Sequence, residues 1–493
     1  MARADAYAVL TYAARPAVVA KYLGQLAPVL AALALAPMAV GFAYGEAAIA
    51  WRYLAVAAAL AVFGAIAARG AAPARLQANE ALAVTALAYL LGVLANAWPM
   101  LACGLAPMDA LFEAVSGITT TGLSSVATLE AMPKTFLFAR AWAQWYGGLG
   151  IAVLALVLLA SYDLAARRLV ESGGGESLAT TTLAHARRVT AVYVALTALG
   201  FGALLLLGMD AFSALGYTFA AISTGGFAPS DAGLGGLGRP ALETAVLAIA
   251  FMGAVSLPLY HALWRRDWRR VAADVELRGL LAATALVCAL LLVFAWLADS
   301  RAAPLDLLLL GVSAQSTTGF ATLAVGELDP ASKWVLLGAM AIGGSTGSTA
   351  GGVKLYRVLL LLRQFQFLLR RLAMPSHAVL ELGLGGRRVE SETARRALLL
   401  ILLFVAAALL SWLPFLAAGH DPLNALFEVV SALGTVGLSS GVTGADLAPG
   451  LKAVLCLDML FGRLEFIAVL ILFAPATWWG RRMDRAQANG ESL

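Results

Sequence analysis

Ten times along this chain an apolar run recurs that is long enough to cross a bilayer, at roughly 24–43, 50–68, 80–103, 136–160, 188–208, 240–263, 278–298, 333–362, 396–418 and 451–475. About 20 helical residues cover the ~30 Å hydrocarbon layer. Lipid offers no partner to a free N–H or C=O, so each run must pair its backbone internally, which a helix does. The expectation is an all-α polytopic membrane protein. Composition agrees, since 61% of the 493 residues are hydrophobic and only 13% are charged, more apolar surface than a soluble domain hides.

A net charge of +5 raises the question of nucleic acid. The basic residues argue against it, because they sit between apolar runs where the positive-inside rule puts them. Most of the 34 fall in alternate connections: Arg3, Arg15, Lys21, Arg69, Arg75, Arg167, Arg168, Arg187, Arg188, the group Arg265 to Arg278, Arg363 to Arg396, and Arg481 to Arg485. The opposite connections hold few, among them Arg52, Lys134, Arg140, Arg239, Arg301, Lys333 and Lys452. Both termini are therefore expected on the cytoplasmic side. The N-terminus carries Arg3, Arg15 and Lys21 before a retained first helix, with no cleavable signal evident. Cys103, Cys288 and Cys456 lie in apolar runs, and His185, His261, His377 and His420 are scattered, so neither a disulfide framework nor a zinc site is expected.

Four shorter apolar segments, the first near 109–118, fall between runs three and four, five and six, seven and eight, and nine and ten. They are too short to cross and read as re-entrant half-helices. Each leads into a related string: Thr120-Thr121-Gly122-Leu123, Thr224-Gly225-Gly226-Phe227, Thr317-Thr318-Gly319-Phe320 and Thr435-Val436-Gly437-Leu438. Thirteen positions before each last glycine stand Asp109, Ser213, Asp306 and Asn424, all residue types that cap helix N-termini. Ser116, Ser313 and Ser431 recur six positions before it, with Ala220 in the second copy. Small-residue helix packing alone explains neither the common register nor the capped short helices.

The physics of such a unit favours a cation. Each half-helix ends with an effective charge of roughly −0.5 from its last carbonyls. Glycine permits the backbone angles that turn carbonyl oxygens inward, and threonine adds a hydroxyl below them. A ring of such oxygens replaces the hydration shell of a potassium ion. The expected ion-binding residues are therefore Thr120, Thr121, Gly122, Thr224, Gly225, Gly226, Thr317, Thr318, Gly319, Thr435, Val436 and Gly437. Glu113 and Glu428, on two of the short helices, either enrich cations at the mouth or are structural.

These repeats resemble the Trk/Ktr/HKT superfamily of potassium transporters, and the bacterial TrkH-like subunits within it. The resemblance covers essentially the whole chain, including two extra spans before the first repeat. It implies division into 1–78 (extra helices), 79–165, 166–265, 266–395 and 396–493 (four pore repeats), a pseudo-fourfold pore within one chain, and a homodimer of two pores. It also implies a cytoplasmic nucleotide-binding ring of the TrkA type and a place in the bacterial inner membrane. Members with serine at the first filter glycine tend to pass sodium, so Gly122 favours potassium.

The eighth run is interrupted by Gly343-Gly344-Ser345-Thr346-Gly347-Ser348-Thr349-Ala350-Gly351-Gly352. Glycines at this density do not form an ordinary helix interior, each costing about 1 kcal/mol relative to alanine. The stretch follows the third filter by about 25 residues and resembles the family's intramembrane gating loop. Val353-Lys354 and Arg357 also match the family pattern. The resemblance implies that Arg463, in the last run, reaches this loop and opposes ion passage. Asp458 lies five residues earlier, off the same helix face. Lys354–Asp458 and Arg463–Glu465 are the pairings considered within the sequence.

The expected function is potassium uptake through a selective pore gated by the Gly/Ser/Thr loop and by cytoplasmic subunits, with no organic cofactor and no enzymatic activity. The ion-translocating subunit of an ATP-driven potassium pump is the alternative, though no Gly-x-x-x-x-Gly-Lys-Ser/Thr string is present. An intramembrane enzyme lacks a His pair or a Ser/Lys or Asp/Asp constellation. Channel-like passage and coupling to Na+ or H+ both remain open.

Overall fold

The computed structural model describes residues 13–70, 77–162, 178–373, 375 and 381–479. Several basic residues used for orientation (Arg3, Arg75, Arg167, Arg168, Arg481, Arg482 and Arg485), with His377, lie outside the described residues.

The described residues are predominantly helical. In order come α1 (Pro16–Ala43), α2 (Ala47–Ala67), α3 (Ala78–Met100), α4 (Pro107–Ile118), α5 (Lys134–Tyr162), α6 (Leu178–Leu206), α7 (Ala211–Ile222) and α8 (Pro240–Ala254). Then follow α9 (Leu257–Trp264), α10 (Trp268–Ala273), α11 (Val275–Leu297), α12 (Pro304–Gln315), α13 (Pro330–Ile342) and α14 (Leu355–Leu372). A two-residue antiparallel pair, β1 (Gly383–Leu384) with β2 (Arg387–Arg388), precedes α15 (Ser391–Ala417), α16 (Pro422–Leu433), α17 (Pro449–Arg463), α18 (Ile467–Phe473) and α19 (Pro475–Trp478). Among the described residues six helices are long and apolar enough to cross a membrane, or seven with the bent pair α8–α9.

The chain divides into two compact units. The first comprises Met1–Ala114, Pro133–Ala139 and Leu464–Leu493. Its helices α1 and α2 pack through small residues: a Cβ on Gly24, Gly41 or Gly64 would come closer than 3.0 Å to Ala67, Ala50 or Pro28 respectively. Arg15 grips Glu80 with two side-chain bonds of 2.7 and 2.8 Å, tying the start of α1 to the start of α3. The carboxylate is fully buried, so this is a desolvated, bidentate pair rather than a surface contact.

The second unit comprises Val115–Met132 and Arg140–Arg463. Three of the expected spans prove to be interrupted, only one of them expected from sequence. The sixth, expected as one helix over 240–263, bends by 95° between α8 and α9. The cause is Pro258, which has no N–H for the Ala254 carbonyl. That carbonyl accepts from Ser345 N–H at 3.0 Å instead. Leu257 N–H, one residue earlier, leaves the Gly253 carbonyl and donates to Gly347 at 3.1 Å. The eighth run breaks at Gly343 (φ 74°), as its glycines foretold. The tenth, expected over 451–475, breaks after Arg463, where Glu465 and Phe466 take φ of 56° and 60° and cannot continue a right-handed helix.

Candidate functional site

The four short helices α4, α7, α12 and α16 each run for 12 residues and finish in the same turn. Thr120, Thr224, Thr317 and Thr435 donate to the carbonyls of Gly117, Ala221, Ala314 and Ala432 at 2.9–3.1 Å. The next residues, Thr121, Gly225, Thr318 and Val436, donate to Ser116, Ala220, Ser313 and Ser431 at 2.7–3.0 Å. This is the Schellman motif, whose left-handed residue is usually glycine. Here it is threonine four times, with φ of 56°, 52°, 55° and 48°. A β-branched residue in that region is held at a cost on the order of 1–3 kcal/mol, and such strain concentrates at functional positions. The Thr120 and Thr435 hydroxyls are buried and form no hydrogen bond.

Immediately beyond, Gly122, Gly226, Gly319 and Gly437 also take positive φ, between 75° and 94°. A Cβ on Gly122 would come closer than 3.0 Å to the Gly225 carbonyl oxygen, one on Gly226 to Thr318, one on Gly319 to Val436, and one on Gly437 to Thr121. The contacts close on themselves: copy one meets two, two meets three, three meets four, and four meets one. No L side chain fits at any of the four positions.

The segment from Gly343 to Lys354 lies against the base of this ring. Gly351 N–H donates to the Thr317 hydroxyl at 2.7 Å, and Gly352 N–H to the Gly434 carbonyl at 2.9 Å. A Cβ on Gly351 would strike the Gly434 carbonyl and the Thr435 hydroxyl. Thr349 Oγ1 is within bonding distance of the Ile222 and Gly253 carbonyls, at 3.0 and 2.9 Å. Ser348 Oγ donates to Ser345 O at 2.6 Å, and Thr346 N–H to the Glu276 carboxylate at 2.5 Å. Val353 N–H donates to Ala341 O and Leu355 N–H to Gly344 O, both at 2.9 Å. The loop thus rests on the second, third and fourth repeats and is itself largely buried.

A family model described as TrkH, cation transport protein, matches residues 96–479. A Trk system potassium uptake protein TrkH from Salmonella typhimurium is 32% identical over 383 residues, 75% of this chain and 79% of that protein. An uncharacterized cation transporter of Methanocaldococcus jannaschii is 30% identical over 420 residues, 84% of this chain and 86% of its own. The crystal structure of the potassium transporter TrkH from Vibrio parahaemolyticus superposes with a TM-score of 0.83 at 27% identity, covering 94% of this chain and 100% of that one. The chain belongs to the TrkH family of cation transport proteins.

Within this TrkH-family chain several sequence expectations need correction. Asp109, Ser213, Asp306 and Asn424 are not N-caps; they sit in the third position of their helices. Asp210 and Asp421 cap α7 and α16, each accepting at 2.9 Å from the N–H of Ser213 or Asn424. Ala303, before Pro304, offers no side-chain cap to α12. Proline at the first position of α4, α12 and α16 moves the helix start three residues upstream of the expected one. At the third position Asp109 and Asp306 still favour the positive helix end.

Lys354 and Asp458 do not pair. Lys354 Nζ donates to the Ala350 carbonyl at 2.6 Å, and Asp458 accepts from Ser411 Oγ at 2.6 Å. Arg463 donates to the carbonyls of Thr349 at 2.8 Å and Gly147 at 3.1 Å, joining the loop to α5. Glu428 is a buried carboxylate: Ser439 Oγ, Ser440 N–H and Thr443 Oγ1 donate to it at 2.6–2.7 Å, pinning the chain that leaves the fourth Thr-x-Gly segment. Glu113 is likewise fully buried.

Two features escaped the sequence reading. Gln144 of α5 donates to the Gly225 carbonyl at 2.5 Å and accepts from Phe227 N–H at 3.2 Å. In copies one and four the corresponding support is Ser116 or Ser431, whose Oγ accepts the Gly122 or Gly437 N–H at 3.0 and 3.1 Å. Copy two has Ala220 there, and Gln144 occupies the room a side chain at 225 would need. The paired departures Ala220 and Gly225 were the available signal. The second feature is a set of glycines, Gly147, Gly253 and Gly462, against which the last carbonyls of α4, α7 and α16 (Ile118, Ile222 and Leu433) approach too closely for any Cβ. A glycine about 25 residues after each ring glycine marks them in the sequence.

Proposed function

We propose that this chain carries potassium across the bacterial inner membrane, through a pore whose selectivity filter is the ring of four Thr-x-Gly segments. The observation that carries this reading is the closed order of contacts among Gly122, Gly226, Gly319 and Gly437. The similar potassium uptake proteins supply the ion class. The 12-residue helices rise ~18 Å, about half the hydrocarbon layer, and so act as re-entrant half-helices whose carbonyl ends attract a cation. Thr120, Thr224, Thr317 and Thr435 line the innermost site with their hydroxyls. The carbonyls of Thr121, Gly225, Thr318, Val436 and the four glycines take the place of water around the ion.

The loop of Gly343, Gly344, Ser345, Thr346, Gly347, Ser348, Thr349, Gly351 and Gly352, with Lys354 and Arg463, acts as the gate. Its bond to Thr317 sets the loop against the base of the filter, so an ion passes only when the loop moves. Arg463 holds it closed through Thr349. A TrkA-type cytoplasmic ring and a second copy of the chain are the expected partners, with both termini cytoplasmic and the four repeats divided at 79, 166, 266 and 396. Purified protein in liposomes should pass 86Rb+ or K+; passage of Na+ alone would overturn the ion assignment. A reversal potential that follows K+ alone would assign channel-like passage, and one that also moves with Na+ or H+ gradients would assign coupling.

A further inference from the structure

A cavity of about 470 Å³ opens in the second unit where α6, α9 and α10 meet. Arg188, His261, Arg265 and Arg270 line it, with Asp267. Asp267 is already committed: it caps α10, accepting from Arg270 N–H at 3.2 Å. Among the described residues none of the three arginines forms an ion pair with a carboxylate within 4.0 Å. The three arginines outnumber the one aspartate by two. The lining also includes apolar residues, among them Val192, Leu257, Ala262 and the exposed Pro258.

Basic and apolar lining together suit an anionic amphiphile. We propose that this cavity binds the phosphate headgroup of an anionic phospholipid, with the arginines on the phosphate and the upper acyl chain beside Pro258. Two observations favour lipid over a soluble phosphate. The apolar crossing segment of α6 begins at Ala186, so the cavity lies at the level where that helix meets the polar layer. Trp264 and Trp268, flanking the cavity on α9 and α10, are 72% and 63% exposed, as indoles are where they anchor at a headgroup layer. Guanidinium groups clustered beside crossing helices recognise anionic headgroups in this way. The inference rests on the membrane reading alone and not on the identity of the ion, so its failure would leave the filter untouched.

Native mass spectrometry of the delipidated full chain tests it, with phosphatidylglycerol, phosphatidylcholine or inorganic phosphate added back. The wild type should retain phosphatidylglycerol ~10-fold over phosphatidylcholine. The triple variant R188Q/R265Q/R270Q should lose that preference at an unchanged melting temperature. Should the triple variant not fold, the single exposed change Arg265→Gln should still lower retention several-fold. Equal retention of the two lipids, full retention by a folded variant, or displacement of the lipid by millimolar inorganic phosphate would each overturn the proposal.

Discussion

Serine in place of Gly122 probes the proposed filter at the first of its four glycines. The added Cβ would lie closer than 3.0 Å to the Gly225 carbonyl oxygen, and the backbone there has φ 94°. An L residue held at such an angle costs about 1–3 kcal/mol. The overlap is with backbone, not with the end of a flexible side chain, so relief must come from moving the 225 carbonyl or the 122 segment. In the proposed filter, either motion displaces an oxygen that would replace potassium hydration. A loss of ~1.4–2.8 kcal/mol in preference for potassium corresponds to about a 10- to 100-fold fall in K+ over Na+ selectivity. Gln144 also bonds to the Gly225 carbonyl, which limits how far that carbonyl can yield. The assay is 86Rb+ uptake into liposomes competed with Na+, with thermal melting as the control for folding. Selectivity within about twofold of wild type, in a folded variant, would refute the reasoning.

Arg463→Gln removes the charged donor that ties Thr349 to α5; bonds to charged groups are worth about 1.5–3 kcal/mol, so flux without the cytoplasmic ring should rise at least ~10-fold, measured in the same liposomes. Gln144→Ala deletes the side chain that supports the second filter copy and should lower selectivity while costing only on the order of 1 kcal/mol of stability, read as a small fall in melting temperature. Glu80→Gln leaves Arg15 without its buried countercharge and should destabilise the first unit by ~3 kcal/mol, read as a lower melting temperature in detergent. The last change lies outside the filter and the loop, so the K+ over Na+ ratio of surviving protein should not move.

How much of this was written in the sequence varies with the kind of signal. Uninterrupted apolar runs such as α1, α2 and α11 could be read directly, because lipid leaves a long apolar segment no alternative to helix. The interruption at Gly343 was legible too, since glycine carries its own conformational signature. The bend at Pro258 was not, although proline was visible: a proline near a helix end is often harmless, and only the loop's N–H groups on the Ala254 and Gly253 carbonyls make the break stable. The break after Arg463 was not legible, because the residues that take positive φ are Glu465 and Phe466, and Gly462 beside them stays within the helix. At the filter, the four Thr-x-Gly strings stood out by repetition, whereas the cap positions were misjudged by three residues because two residue types compatible with capping lie one turn apart. Gln144 was hidden because its partner is 81 residues away and its role is visible only once Ala220 is seen to lack a hydroxyl. Long-range substitution of one support for another leaves a gap in a pattern, not a motif of its own.

The most direct measurement is anomalous diffraction or cryo-electron microscopy of the protein in Rb+ or Tl+. The account predicts ion density enclosed by residues 120–122, 224–226, 317–319 and 435–437, replaced by weak or no density in Na+ alone. Ion density elsewhere in the chain, with none among these four segments, would contradict it.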